Sequence, residues 1–405
     1  MHDFAGRRRR FAELLGGAPA VVPAARVLYR SRDTQHVFRQ DSDFAYLTGY
    51  PEPDAVAVFH GDAFYLAVRP RDSVREAWDG ARLGVEAVES YGAIGCALEK
   101  LPDLLASCLS GSGRIGFPLR RNPRLDRWLS EFLASRTGLP SPELFDPSVP
   151  ISELRLVKEP SEIELLEKAA RISSGAHARA AEAIRPGIYE YQVQALLEFH
   201  FRDGGASGPA YPSIVASGAN ATTLHYHENT RKIEEKDTVL IDAGAEFALY
   251  ASDVTRTIGA SGAPTGERGA LGEVVAAAQR EAIDECRAGR TFDDVHGAAQ
   301  RVLARGLRDF GILDGSAEEI LATDRQKPFT IHRTSHWLGL DVHDPGSTHP
   351  GGSPRVLRPG MVLTVEPGLY FREGSGAPAR WLGLGARIED DVLITSDAPR
   401  VLSRD

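Results

Sequence analysis

The chain has 405 residues, a length that suits two or three domains, and an apolar fraction of 42%, enough to fill a sizeable core. A net charge of −9 argues against a general nucleic-acid surface. The three cysteines, Cys96, Cys108 and Cys286, contain no CxxC pair, so neither a zinc ribbon nor a disulfide framework is supported, and a reducing cytoplasm is expected.

In chain order, residues 6–17 predict a helix that stops at Gly16-Gly17. Its Arg7–Arg10 run is read as a solvated helix end. No apolar core of a signal peptide follows it, and no stretch approaches the roughly 18 apolar residues that span a membrane. Ala20-Val-Val and Ala25 to Tyr29 predict short strands, and Asp33 to Asp43 a loop. Phe44 to Tyr50 leads into a turn at Pro51-Glu-Pro-Asp54. Ala55 to Phe59 and Ala63 to Ala67 flank Gly61-Asp62 as a hairpin. Helices are expected at 85–91, 94–109 and 123–137, with a strand at Arg114 to Phe117. Strands mixed with helices make residues 1–150 an α/β domain.

Three prolines, Pro140, Pro142 and Pro147, precede a boundary, and residues 151–405 form the second domain. A long helix follows Glu159-Pro160, with Ser161 and Glu164 as its capping box and Pro186-Gly187 as its stop. A second helix covers about 190–203. Thr265 opens a third that reaches Cys286, and Thr291 with Asp294 caps a fourth that ends at Phe310-Gly311. Strand-rich blocks at 212–258 and 329–395 follow the two helix pairs. Helix pair then strands, twice, predicts a duplicated α+β unit.

Thr330 to Asp344 places His332, His336 and His343 within one apolar segment, expected as a loop running into a strand. Buried imidazoles need partners, so the cluster is either a metal or catalytic site or a set of satisfied core histidines. Carboxylates weigh for the former. Asp242 closes the apolar run Thr238-Val-Leu-Ile, and Asp253 begins the next β-like run. A hairpin places both on adjacent strands, where two buried acids repel unless a cation lies between them. Glu366 ends another apolar strand and Glu389 lies inside one. Four acids and His336, with no thiolate, describe a hard-ion site, Mn²⁺ first, with Zn²⁺ or Co²⁺ as alternatives. Two such ions could share the carboxylates and a bridging hydroxide.

Ile-Asp-Ala-Gly, Ser-Asp-Val-Thr-Arg-Thr, Ser-His-Trp-Leu-Gly-Leu-Asp-Val-His-Asp, Val-Glu-Pro-Gly-Leu-Tyr and Arg-Ile-Glu-Asp-Asp resemble the Xaa-Pro aminopeptidase (aminopeptidase P) family, in its order and spacing. Arg39 to Phe44 and Glu76 to Gly84 resemble its N-terminal pattern. The resemblance implies a pita-bread catalytic domain and a homodimer or homotetramer. It implies two divalent ions held by Asp242, Asp253, His336, Glu366 and Glu389, with Asp253 and Glu389 bridging. It implies that Glu366 also moves the proton, that His343 holds the substrate carbonyl, and that His225 and His332 line the proline pocket. Arg387 would support the bridging glutamate, and Trp78 would reach a neighbouring subunit's active-site mouth. His227 matches no family position and is expected as a surface residue. Ala45 stands where an aromatic is frequent in the family, and Ser353-Pro354 where several relatives carry an arginine. The substrates implied are peptides with proline second. The alternative is a prolidase confined to dipeptides. A third reading, a binding module on a dead catalytic fold, is disfavoured because all five ligands are present.

Overall fold

A computed structural model describes residues 2–138 and 140–404. It separates into two compact units, Met1–Arg155 and Leu156–Asp405.

The first unit is built on a six-stranded mixed sheet, in the order Ile94–Ala97, Ala63–Val68, Val56–His60, Ala20–Pro23, Arg114–Gly116 and Glu143–Phe145. The hairpin at Gly61 forms as expected, with His60 opposite Ala63. Gly61 takes a φ of +58°, which favours glycine. Alternate strand residues such as Val21, Val58 and Ile115 pack against Leu105 and Leu109 of the helix Leu101–Leu109 and Leu125 and Leu129 of Pro123–Ser135. Other elements differ from expectation or add to it. Residues 94–97 form an edge strand parallel to Tyr65–Val68, and only the remainder of 94–109 is helical. The sheet edge overrides the helical pattern there. Phe44 lies in a helix, Ser42–Thr48, because Asp41 accepts from the Phe44 amide and Gly49 closes the last turn at φ +64°. Between Ala20–Pro23 and Val56–His60 in the chain, the short strands are Tyr29–Ser31 paired with Thr34–Gln35, where a strand was expected over Ala25 to Tyr29 and a loop after it. A further helix, Ser73–Asp79, is capped by Asp72 and buries none of its residues. Trp78 sits on it with 85% of its surface exposed, so it is no packing aromatic within this chain.

In the second unit the helix pairs Pro160–Ala183 with Glu190–Asp203, and Gly266–Asp284 with Phe292–Asp309, each precede a group of antiparallel strands. Thr291 and Asp294 form the expected capping box. The first helix uses Glu159 and Glu162 for its box, not Ser161 and Glu164. Pro160, lacking an N–H, suits the opening turn and moves the cap one residue before itself. The first strand group is Ile214–Ser217, Thr238–Asp242 and Thr255–Gly259. The second includes Val362–Val365 with Asp390–Leu393, and Gly368–Tyr370 with Gly385–Arg387. Two apolar clusters back these strands, one around Val193, Leu197, Val239 and Ile241, the other around Val275, Leu303, Trp337, Leu363 and Val392. This is the α+β pita-bread architecture expected of the second half. Among the described residues no helix is long and apolar enough to cross a membrane.

Candidate metal centre

Thr238–Asp242 is the buried middle strand of its sheet, so its last residue, Asp242, is only 8% exposed. It stands opposite Thr255, which brings Asp253 to the same place. Asp253 is not on the neighbouring strand as expected but just ahead of it. The residues between build a second hairpin, Ala245–Phe247 with Tyr250-Ala251. A Cβ on Gly244 would meet the Ser252 carbonyl oxygen at 1.7 Å, so this close crossing requires glycine. Glu366 directly follows Val362–Val365. Glu389 lies between two strands and donates its N–H to the Thr255 carbonyl at 3.0 Å.

The histidine segment contains no regular strand, contrary to expectation. It runs beside Val362–Val365 through an isolated pairing of Trp337 with Leu363. His336 N–H donates to Thr364 Oγ1 at 3.2 Å, Thr364 N–H to His336 O at 3.0 Å and Glu366 N–H to Thr334 O at 2.8 Å. Beyond Leu338 the chain turns, and a buried Lys158–Asp344 pair at 3.2 Å anchors it. Two backbone bonds and the Thr364 hydroxyl therefore bring His336 beside Glu366.

Those elements surround a cavity of about 450 Å³ whose wall includes Asp242, Asp253, His336, Glu366 and Glu389, together with His225, His332, His343 and Arg387. Ligand atoms of Asp253, His336 and Glu389 lie within 4.8 Å of one another. His336 Nε2 is 3.3 Å from Asp253 Oδ2 and 3.6 Å from Glu366 Oε1. Its Nδ1 donates to the Trp337 carbonyl at 3.0 Å, which aims Nε2 at the acids. His332 Nδ1 lies 3.3 Å from Glu366 Oε2, so Glu366 is shared by two histidines. The His343 ring meets His336 edge-on at 4.4 Å.

The electrostatics are those of a site made for cations. Burial pushes the Glu366 carboxyl up to about 7 against the pull of His336 and Arg387. Burial and then the Asp253 charge lift Glu389 well above the carboxylate range, and burial raises Asp242. Asp253 alone is lowered: burial opposes this, but the His336 hydrogen bond prevails. His336 is carried up to about 9, because Asp253 and Glu366 outweigh the effect of its burial. Burial drives His332 down to about 3, and it lowers His343 as well, so both rings are neutral at pH 7. Tyr211 OH lies 2.7 Å from Asp242 Oδ1 and 2.5 Å from Asp253 Oδ1. One phenol proton cannot serve both oxygens. Buried acids in surplus, oxygen and nitrogen donors, and no thiolate fit hard divalent ions.

Arg387 departs from its expected place. Its Nη2 donates to Asp242 Oδ2 at 2.5 Å, not to Glu389. Glu389 is reached only through Thr255, whose hydroxyl accepts from Arg387 Nε at 3.2 Å and donates to Glu389 Oε2 at 2.7 Å. Arg387 Nη1 also donates to Tyr370 OH at 2.9 Å, and that hydroxyl contacts His332 Nε2 at 2.8 Å. His332 Nδ1 must donate to the Arg333 carbonyl at 2.7 Å, so Nε2 accepts from Tyr370. His225 lies exposed on the cavity wall, and His227, expected as a surface residue without a site, lines the same wall with its ring stacked at 6.1 Å. Sequence reasoning missed Tyr211 and Tyr370. Tyr370 closes the Val-Glu-Pro-Gly-Leu-Tyr motif and so carried a signal, whereas no periodicity marks Tyr211.

Known proteins resemble this chain along nearly its whole length. The model of metallopeptidase family M24 matches residues 164–396, and that of the aminopeptidase P N-terminal domain matches residues 4–115. An Xaa-Pro aminopeptidase of Haemophilus influenzae is 36% identical, covering 99% of this chain and 94% of that protein. One from Escherichia coli is 37% identical over 97% of this chain and 92% of its own. The solved structure of Pseudomonas aeruginosa aminopeptidase PepP superposes with a TM-score of 0.93 at 41% identity, covering 99% of this chain and 95% of that one. Zinc-substituted E. coli aminopeptidase P in complex with product gives the same TM-score, 0.93, at 36% identity and the same coverage, 99% and 95%.

Proposed function

The chain belongs to metallopeptidase family M24 and is an Xaa-Pro aminopeptidase, and we propose that Asp242, Asp253, His336, Glu366 and Glu389 hold its two divalent ions. The observation that carries this assignment is the convergence of four acids and one imidazole on a single cavity, where burial and mutual repulsion hold three of the acids above their ordinary pKa until a cation offsets them. Mn²⁺ is the proposed native metal, supported by the all oxygen and nitrogen donor set. When bound, the ions would supply an activated water and polarise the scissile carbonyl.

The protein's own side chains would do the rest. Glu366, on the cavity wall with Oε1 3.6 Å from His336 Nε2, would take a proton and return it to the proline nitrogen as the bond breaks. His343, kept neutral, would donate a hydrogen bond to the carbonyl oxygen as its charge grows. His332, locked by Tyr370 and the Arg333 carbonyl, would offer a fixed wall to the proline ring, with His225 opposite. Arg387 would orient Asp242 directly and Glu389 through Thr255. Proline has no N–H and a fixed φ. A closed pocket recognises it without the β-strand hydrogen bond that other proteases need. Trp78, exposed on its short helix, would complete the site of a neighbouring subunit in a homodimer or homotetramer. The three cysteines are unpaired, which suits work in the cytoplasm.

Metal-loaded enzyme should be offered Xaa-Pro and Xaa-Pro-Xaa under the same conditions. Faster release of the N-terminal residue from the tripeptide supports the aminopeptidase. Turnover of the dipeptide alone would make the chain a prolidase.

A further inference from the structure

Directly after Glu389 come two more acids, Asp390 and Asp391, only 0% and 1% exposed. Neither lines the cavity. Buried carboxylates need partners, and these draw theirs from separate stretches of chain. Asp390 accepts from Arg256 Nη2 at 2.7 Å, Ser403 Oγ at 2.7 Å and Gln279 Nε2 at 2.9 Å, and also from Arg404. Asp391 accepts from Ser252 Oγ at 2.8 Å and from the Asp253 backbone N–H at 3.1 Å. Its own N–H donates to Ser403 Oγ at 3.1 Å, and its carbonyl accepts from Leu402 N–H at 2.8 Å.

Two features make this more than a buried network. Ser403 touches both acids with one hydroxyl, as donor to Asp390 and acceptor from Asp391. Asp391, in turn, grips the backbone of Asp253, while the residue before Asp390 is Glu389. Thus the segment 402–404 is linked to the main chain of Asp253 by two hydrogen bonds through Asp391, and holds Asp390, the chain neighbour of Glu389, by direct ones. Arg256 adds a bond to the Glu389 carbonyl at 2.6 Å, which fixes the same turn from the other side.

We propose that Ser403 and Arg404 are positioning residues for the metal pair: by holding the Glu389–Asp391 turn, and Asp253 through Asp391, they set the distance between the two shared ligands. The inference rests on the ligand assignment above. Loss of such outer contacts typically costs about 10–100-fold in metal affinity. A tie that served stability alone would lower the melting point of metal-free protein and leave affinity untouched.

The test is titration of full-length metal-free protein with Co²⁺, following its visible absorption and binding heat, for wild type, S403A, S403T, R404Q and R404K. Melting of each metal-free protein is recorded alongside. S403A and R404Q should each bind at least tenfold more weakly and show a shifted Co²⁺ spectrum. S403T and R404K, which keep the hydroxyl and the charge, should recover most of both. If R404Q does not fold, the S403A and S403T pair carries the test. Affinities within tenfold of wild type and an unchanged spectrum overturn the proposal, whatever happens to the melting point. A wild type that binds no Co²⁺ would sink the ligand assignment itself, and this inference with it.

Discussion

Loading of the metal centre should release protons and tighten steeply with pH. In metal-free protein Glu366 keeps its proton up to about pH 7 and His336 up to about 9. Both must give up those protons to act as ligands. Below its pKa, each such proton weakens apparent metal affinity by about tenfold per pH unit. Between pH 6 and 8 His336 therefore contributes about 100-fold, and Glu366, which crosses its midpoint, about tenfold more. The same shifts act on stability. Both groups titrate higher in the folded protein than their ordinary values of 6.5 for His336 and 4.5 for Glu366. The His336 contribution is full below about pH 6.5 and is lost as pH rises through about 9. Glu366 binds more protons folded than unfolded between about 4.5 and 7, so its effect also falls across that window. Each amounts to on the order of 3 kcal/mol. Metal-free protein should thus melt lower as pH rises from 5 to 9, while the gain from added metal grows. Isothermal titration with Mn²⁺ at pH 6, 7 and 8, in buffers of different protonation enthalpy, counts the protons directly. At least one proton per site at pH 7 and a rise of about 100-fold or more in affinity are expected. Buffer-independent heats with affinities within about threefold would refute the reasoning.

Other outcomes follow from single side chains. Glu366→Ala should lower kcat by at least about 100-fold, with the fold retained by circular dichroism. A loss below about tenfold would reject a role in proton transfer. His343→Ala should lower kcat and kcat/KM together, since its contact strengthens as the carbonyl gains charge; initial rates that show a raised KM alone would contradict this. Trp78→Ala should alter the ratio of rates on a tripeptide and a longer peptide, with light scattering showing an oligomeric wild type. A monomeric wild type at micromolar concentration would dismiss the shared site.

Much of the centre was legible because its acids sit where acids are costly. Asp242 and Glu366 close apolar strands, and such placement demands a compensating charge whatever the fold. The helix pairs were legible too, since caps such as Thr291 with Asp294 act within one turn. What spacing could not convey is contact across the sheet. Arg387 was expected beside Glu389 yet lies on Asp242, because the strand pairing sets Thr255 between them. Tyr211 precedes the strands that it serves and has no pattern of its own. The edge strand 94–97 exists only because Tyr65–Val68 offers it a partner. Trp78 showed no periodicity because its helix has no buried face to impose one.

The central claim is that this cavity cleaves the bond before proline and needs its metal ions to do so. The most direct measurement follows release of the N-terminal residue from Xaa-Pro-Xaa and Xaa-Ala-Xaa peptides by one preparation, before and after thorough chelation and after Mn²⁺ is restored. Rapid cleavage of the proline peptide alone, abolished by chelation and recovered with metal, is the predicted result. Full activity in metal-free protein, or equal cleavage of the alanine peptide, would contradict it.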